Sequence, residues 1–210
     1  DAFSGDRLKN VNLRGVEELS NLVPGLQSSI ALSNETPLHT LRGIGTFDFI
    51  GNNQSPIGVH LDGFYRGVNS LMAGQLFDIE RVEVLKGPQG TLYGKNSSGG
   101  AINYYTTKPS LETTEGYVIL TAGDLSLKEM KFAYNAPLSE NFAIRLAGST
   151  ADRDGWIKHA TNSDLDNGTI DHHGLRLSAL WSPRLSPLTD SPVFWRHVMW
   201  DACFSLKSCC

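Results

Sequence analysis

"LFDIERVEVLKGPQGTLYGKNSSGGAINYYTTKP", residues 76–109, carries two alternating segments around a glycine-rich connection. In ERVEVLKGP, Val82 and Val84 alternate with Arg81 and Glu83 until Gly87-Pro88 breaks the run. In AINYYTTKP, Ile102, Tyr104 and Thr106 share one side, and Pro109 closes it. A two-residue period built from β-branched and aromatic side chains predicts a pair of strands. The connection sets five glycines beside Lys95 within residues 86–100, the composition of a phosphate-binding loop. Such a loop needs Gly, four spacers, then Gly-Lys-Ser/Thr, because backbone N–H groups curl around the anion while the hydroxyl holds Mg²⁺. Here the position five before Gly94 is Gln89, and Asn96 follows Lys95. The spacing therefore speaks against a nucleotide-binding enzyme.

Upstream, IGVHLDG alternates Ile57, Val59 and Leu61 with Gly58, His60 and Asp62, which predicts a half-buried strand closed by Asp-Gly. Further back, Asn12 is placed to cap a helix over roughly residues 13–22. Leu13, Val16, Leu19 and Val23 recur on one of its faces, and Pro24-Gly25 stops it. Residues 1 to about 109 thus read as a small α+β domain with a mixed sheet.

Downstream, helical periodicity disappears from about Gly116. Met130, Phe132 and Tyr134 share a face, then Phe142, Ile144 and Leu146, and the alternation returns over residues 175–181. The links are unequal: APLSEN is a tight turn, whereas residues 151–173 form a long polar loop. Antiparallel strands of about ten residues joined by alternating short and long links are the pattern of an outer-membrane β-barrel. A soluble β-sandwich would show the same alternation.

With 40% hydrophobic and 19% charged residues, the composition is that of an ordinary folded protein. A net charge of −4 without a basic stripe argues against a nucleic-acid partner. No apolar run approaches the ~20 residues of a spanning helix, and no charged-then-apolar leader opens the chain. Cys203, Cys209 and Cys210 are the only cysteines, too clustered to staple the fold or space a zinc site. A cysteine-free body suits an oxidising compartment such as the periplasm.

The motifs LVPGL (22–26), LRGIG (41–45), IGVHLDGFYRG (57–67), the 76–109 segment and GYVILTAGD (116–124) resemble, in order and spacing, the TonB-dependent outer-membrane receptors. The resemblance covers about residues 1–183. It implies a plug domain over 1–110, the first strands of a transmembrane β-barrel over 111–183, and an atypical tail over 184–210. It further implies a plug held inside a barrel of roughly 22 strands, localisation in the bacterial outer membrane, and active uptake of a scarce nutrient, usually a ferric siderophore. The expected partners are the TonB energy-coupling complex, whose coupling box is not found before residue 1, and a small-molecule ligand. No cofactor, resident metal or covalent chemistry is implied.

The resemblance also assigns residues. Gly43, Gly87, Gly90, Gly94, Gly99 and Gly100 become structural glycines that permit tight turns and close backbone approach. Arg42 and Lys86 occupy the positions of two basic residues that lock the plug to acidic residues of the barrel wall. Lysine at 86 lacks the bidentate fork of arginine. Outward plug loops would contact the ligand: Asn34 and Glu35 in SNET, then Phe47, Phe49, Asn52, Asn53 and Gln54 in TFDFIGNNQS, then Arg66 and Asn69 in YRGVNS. Aromatic area beside amides suits a bulky polar chelate.

Other motifs carry less. DLDNGTID resembles a calcium loop, but with Asp164 first, Gly168 stands fifth where an EF-hand needs glycine sixth. His172 and His173 are adjacent and face opposite ways on a strand, and His39, His60, His159 and His197 lack ligand spacing. Asp62, Asp78, Glu80 and Glu83 lie inside the family's structural motifs, and no nucleophile–base pair is evident. Beyond Pro183 the alternation fails, which suggests out-of-frame or foreign sequence. The rival reading is a soluble periplasmic binding or signalling module that reuses the plug fold.

Overall fold

A computed structural model of the chain describes residues 1–5, 7, 17–31, 36–46, 54–67, 76–157, 168–182 and 196–202. They divide into two units, Asp1–Thr106 and Thr107–Cys210.

The first unit contains β1 (Ala2–Ser4), β2 (Leu26–Ala31), β3 (Thr36–Leu41), β4 (Ile44–Gly45), β5 (Ile57–Leu61), β6 (Phe64–Tyr65), β7 (Ile79–Lys86) and β8 (Gly100–Thr106). A single helical turn, α1 (Gly90–Tyr93), lies between the last two. One sheet has the order β1-β7-β8-β5-β6, and a smaller one joins β2, β3 and β4. The larger sheet is mixed, because β5 runs parallel to β8 while β7 runs antiparallel to it. Ile57, Val59, Leu61, Val82, Val84 and Ile102 supply its apolar face and are wholly buried, as the alternation predicts. Burying six such side chains contributes about 1.5–3 kcal/mol each, so this face dominates the unit's stability.

Two local expectations need correction. The helix expected over residues 13–22 is, in its described part, a 3₁₀ turn at Glu17–Asn21. Ser20 and Asn21 compete with the backbone for hydrogen bonds, and Pro24 offers no donor to continue a helix. Leu19 and Val23 are nevertheless buried in the core. The strand expected to be half-buried, β5, is instead buried along its whole length. Its second face is covered by Tyr65 and by Tyr93 of α1, whose ring centroids lie 5.5 Å and 4.9 Å from that of His60.

The Asp-Gly turn after β5 has φ of +50° at Asp62 and +84° at Gly63, the paired left-handed conformations of a tight hairpin. The Asp62 carboxylate also accepts hydrogen bonds from the Thr106 N–H (2.9 Å) and hydroxyl (2.8 Å). It thereby pins the hairpin to the end of β8, a structural task for a carboxylate.

The second unit is an antiparallel meander of β9 (Glu115–Ala122), β10 (Lys128–Ser139), β11 (Phe142–Arg153), β12 (Ile170–Trp181) and β13 (Arg196–Ala202), each paired with the next. Its burial runs inside out. On β11, Ala143, Arg145, Ala147, Ser149 and Ala151 are buried while Leu146 is exposed, and on β12, Arg176 and Ser178 are buried between exposed Leu175, Leu177 and Trp181. Register aligns the outward residues in rows: Val118, Phe132, Gly148 and Leu175 form one, and Leu120, Met130, Thr150 and His173 the next. One row further on, Lys128, Asp152 and Asp171 bring in charge. An apolar outer band ending in charge, over a small and polar inner face, is the inverse of a soluble sandwich and the arrangement of a barrel wall in lipid. Strands of twelve residues tilted by about 40° span about 30 Å, enough to cross the hydrocarbon layer.

The inner face also anchors the entering chain. Asn135, fully buried, accepts from the Ser110 N–H (2.9 Å) and donates to the Ser110 (3.0 Å) and Thr113 (2.6 Å) carbonyls. Residues 196–202, in the segment where alternation fails, still pair with β12. An open strand edge templates backbone pairing whatever the side-chain pattern. Residues 184–195 and 203–210, including all three cysteines, lie outside the described residues.

Candidate functional site

Chain direction in the mixed sheet brings the segments around Gln54 and Arg66 to one sheet end. β5 and β8 are parallel with Ile57 opposite Gly100, so the segments preceding them, ending at Pro56 and Gly99, emerge at one sheet end. β6 returns antiparallel to β5, bringing residues 65–67 to that end, and β7 also finishes there. Gln54 and Arg66 are therefore neighbours in the topology. Asn34, Glu35, Phe47, Phe49, Asn52, Asn53 and Asn69 lie outside the described residues.

At this end Asn96 is the hub. It adopts φ +62°, a left-handed conformation that asparagine tolerates better than most residues. Its side-chain amide donates to the Tyr65 hydroxyl (2.9 Å) and to Gln54 Oε1. The surrounding loop is braced: the Gln89 N–H donates to the Ser97 carbonyl (2.8 Å), the Ser97 hydroxyl to the Gly94 carbonyl (2.7 Å), and the Gly99 N–H to the Pro56 carbonyl (2.9 Å). Behind it, Asn103 donates to the Tyr93 hydroxyl at 2.7 Å. His60 stacks between Tyr65 and Tyr93, and burial pushes its pKa down, partly opposed by a backbone hydrogen bond at Gly58.

Sequence reasoning missed Asn96, Tyr65 and Tyr93. A usable signal was present, since an asparagine ahead of Ser-Ser-Gly-Gly is a favoured left-handed position. What pairs with its amide is a tertiary matter.

The basic pair divides. Lys86 Nζ lies 2.7 Å from the Asp1 carboxylate and is only 17% exposed. Arg42 is exposed at φ +53°, and its N–H donates to the Gly25 carbonyl at 2.7 Å. The carboxylates Glu80 and Glu83 accept from Arg81 at 2.9 Å each, and the guanidinium sits 3.8 Å from the Tyr105 ring centroid. They form a charge cluster along β7, with the Tyr105 ring of β8 beneath the guanidinium, rather than an acid/base pair. Among the described residues no group of three or more His, Cys, Asp or Glu could hold a metal.

Of the assigned glycines, Gly43, Gly87, Gly94 and Gly100 have positive φ. Gly99 and Gly100 stand where a Cβ would collide with neighbours. Gly90, at the first position of α1, meets neither condition.

Comparison with known proteins agrees with this geometry. Residues 1–101 match the TonB-dependent Receptor Plug Domain family. The Ferrioxamine receptor of Yersinia enterocolitica is 29% identical over 179 residues, covering 84% of this chain and 23% of the relative. The Vitamin B12 transporter BtuB of Vibrio vulnificus is 31% identical over 174 residues, covering 79% and 27%. The crystal structure of the ferric yersiniabactin uptake receptor FyuA from Yersinia pestis superposes with a TM-score of 0.77 at 26% identity, covering 87% of this chain and 28% of that one. The chain spans about a quarter of the length of these relatives. A plug-domain match, its mixed sheet and the inverted strands that follow lead to one conclusion: residues 1–101 are a TonB-dependent receptor plug domain, in a chain similar to the outer-membrane receptors that carry it.

Proposed function

We propose that the chain is part of a receptor that takes up a scarce nutrient across the outer membrane, with a ferric siderophore as cargo and the TonB complex as energy source. In this reading residues 1–110 are the plug, 111–183 the first barrel strands, and 184–210 a tail foreign to the receptor. The observation that carries it is the inside-out burial of the strands that follow the plug-domain sheet, in which the segments at Gln54 and Arg66 reach one sheet end. Asn34, Glu35, Phe47, Phe49, Asn52, Asn53, Gln54, Arg66 and Asn69 hold the chelate, amides and guanidinium meeting its oxygens and aromatic rings its ligand framework. Arg42 and Lys86 are the plug's contribution to the lock, with Asp1 holding Lys86 in place. Two of the named relatives, the ferrioxamine receptor and the ferric yersiniabactin uptake receptor, support this cargo, and the vitamin B12 transporter marks the competing one. A soluble periplasmic module is disfavoured, because the exposed Leu175, Leu177 and Trp181 would then face water.

The test is equilibrium dialysis of the chain in detergent micelles against ⁵⁵Fe-ferrioxamine B and cyanocobalamin. Saturable binding of the ferric chelate alone, weakened tenfold or more by Arg66→Ala with Gln54→Ala, is the expected result. Preference for cyanocobalamin, or no saturable binding of either, would overturn the siderophore assignment.

A further inference from the structure

We infer that Asn96 is a positioning residue that sets the separation of Gln54 and Tyr65, one in each of two segments proposed to hold the chelate. The inference deepens the proposed cargo site and rests on it for the identity of the ligand.

A side-chain amide has two N–H donors, and Asn96 directs its nitrogen at two acceptors on different segments, Gln54 Oε1 and Tyr65 Oη. Gln54 is the penultimate residue of the 46–55 segment, and Tyr65 begins the 65–70 segment. One amide group thus ties Gln54 and Tyr65 together.

The amide is itself held in place. Left-handed φ at Asn96, the buried Ser97 with its hydroxyl on the Gly94 carbonyl, and the Gln89 and Gly99 backbone bonds leave the loop little freedom. Tyr65 is backed by the His60 ring, itself backed by Tyr93. A chelate with a fixed arrangement of oxygens requires donors at fixed separation, because each misplaced contact loses its hydrogen bond and still carries its desolvation cost. Asn96 supplies that separation through Gln54 and Tyr65 without belonging to either loop.

The chemistry selects the variants. Asn96→Asp keeps the shape and tolerates the left-handed backbone but removes both donors; Asn96→Gly keeps the backbone and removes the side chain. Two measurements on the chain in micelles separate the outcomes. In ¹⁵N–¹H spectra without ligand, both variants shift the backbone amides of Gln54 and Ser55 and of Tyr65 and Arg66, while the β7 and β8 amides stay dispersed. In titrations with ferrioxamine B, both raise Kd tenfold or more, and Tyr65→Phe raises it several-fold. Shifts confined to residues 94–98 overturn the inference whatever the ligand, as does wild-type affinity in Asn96→Asp. If the remote amides shift but the unmutated chain does not bind ferrioxamine B, the spacing role stands and the siderophore assignment falls.

Discussion

Gly100→Val is expected to destabilise the first unit by more than about 3 kcal/mol, the range reserved for overpacking combined with backbone strain. Gly100 has φ +150°, where a β-branched residue is strained before any contact is counted. A Cβ there would also meet the Leu85 carbonyl and come within 2.6 Å of Leu41 Cδ2. Neither neighbour can yield. Leu85 pairs opposite Ala101 in the β7–β8 ladder, and Leu41 is fully buried. Amide hydrogen exchange in β7 and β8 reads the effect directly, and protection there should fall by about two orders of magnitude. Gly90→Ala is the control, because nothing lies within 4 Å of its Cβ and its φ is ordinary. Exchange in that variant should match the parent chain.

The second large effect depends on pH. His39 is buried, with Nδ1 bonded to the Ser28 hydroxyl at 2.9 Å and Nε2 lacking a hydrogen-bond partner among the described residues. Burial pushes its pKa down to about 4 from 6.5. The unfolded chain therefore binds this proton more readily than the folded one. The stabilisation is complete above pH 6.5 and is lost as the pH falls toward 4. A shift of this size corresponds to about 3 kcal/mol when fully expressed. His60, whose pKa burial also lowers, adds in the same direction. His39→Phe removes one titrating group, so the difference between parent and variant isolates it from the carboxylates. Urea denaturation followed by tyrosine near-ultraviolet circular dichroism should show the parent's stability falling more steeply than the variant's between pH 6.5 and 4. Parallel pH profiles would contradict the assignment.

Period-two patterns were legible wherever one face is buried. Val82, Val84, Ile102 and Tyr104 could be placed in the core from alternation alone. Asp62-Gly63 announced its hairpin because few residues accept left-handed backbone. The second face of β5 was not legible, since His60 is covered by Tyr65 and by Tyr93, which is 33 residues away in sequence. No local window carries that information. The same limit hid Asn96, whose partners are 42 and 31 residues distant. Alternation in the second unit fixed the strands but not which face was outward. Only burial distinguished Leu175 and Leu177 outside from Arg176 and Ser178 inside.

That inversion is the centre of the account, and adjacent positions on β12 test it. In a background with Cys203, Cys209 and Cys210 replaced by serine, nitroxide labels are placed singly at Leu177→Cys and Ser178→Cys, with the chain reconstituted in phospholipid bicelles. Accessibility to oxygen, which concentrates in lipid, is compared with accessibility to a water-soluble nickel chelate. The label at 177 should be open to oxygen and closed to nickel, and the label at 178 immobilised and less exposed to oxygen. Equal nickel accessibility at both positions, or the reverse order, would contradict a lipid-facing apolar wall and with it the barrel-strand account of the second unit.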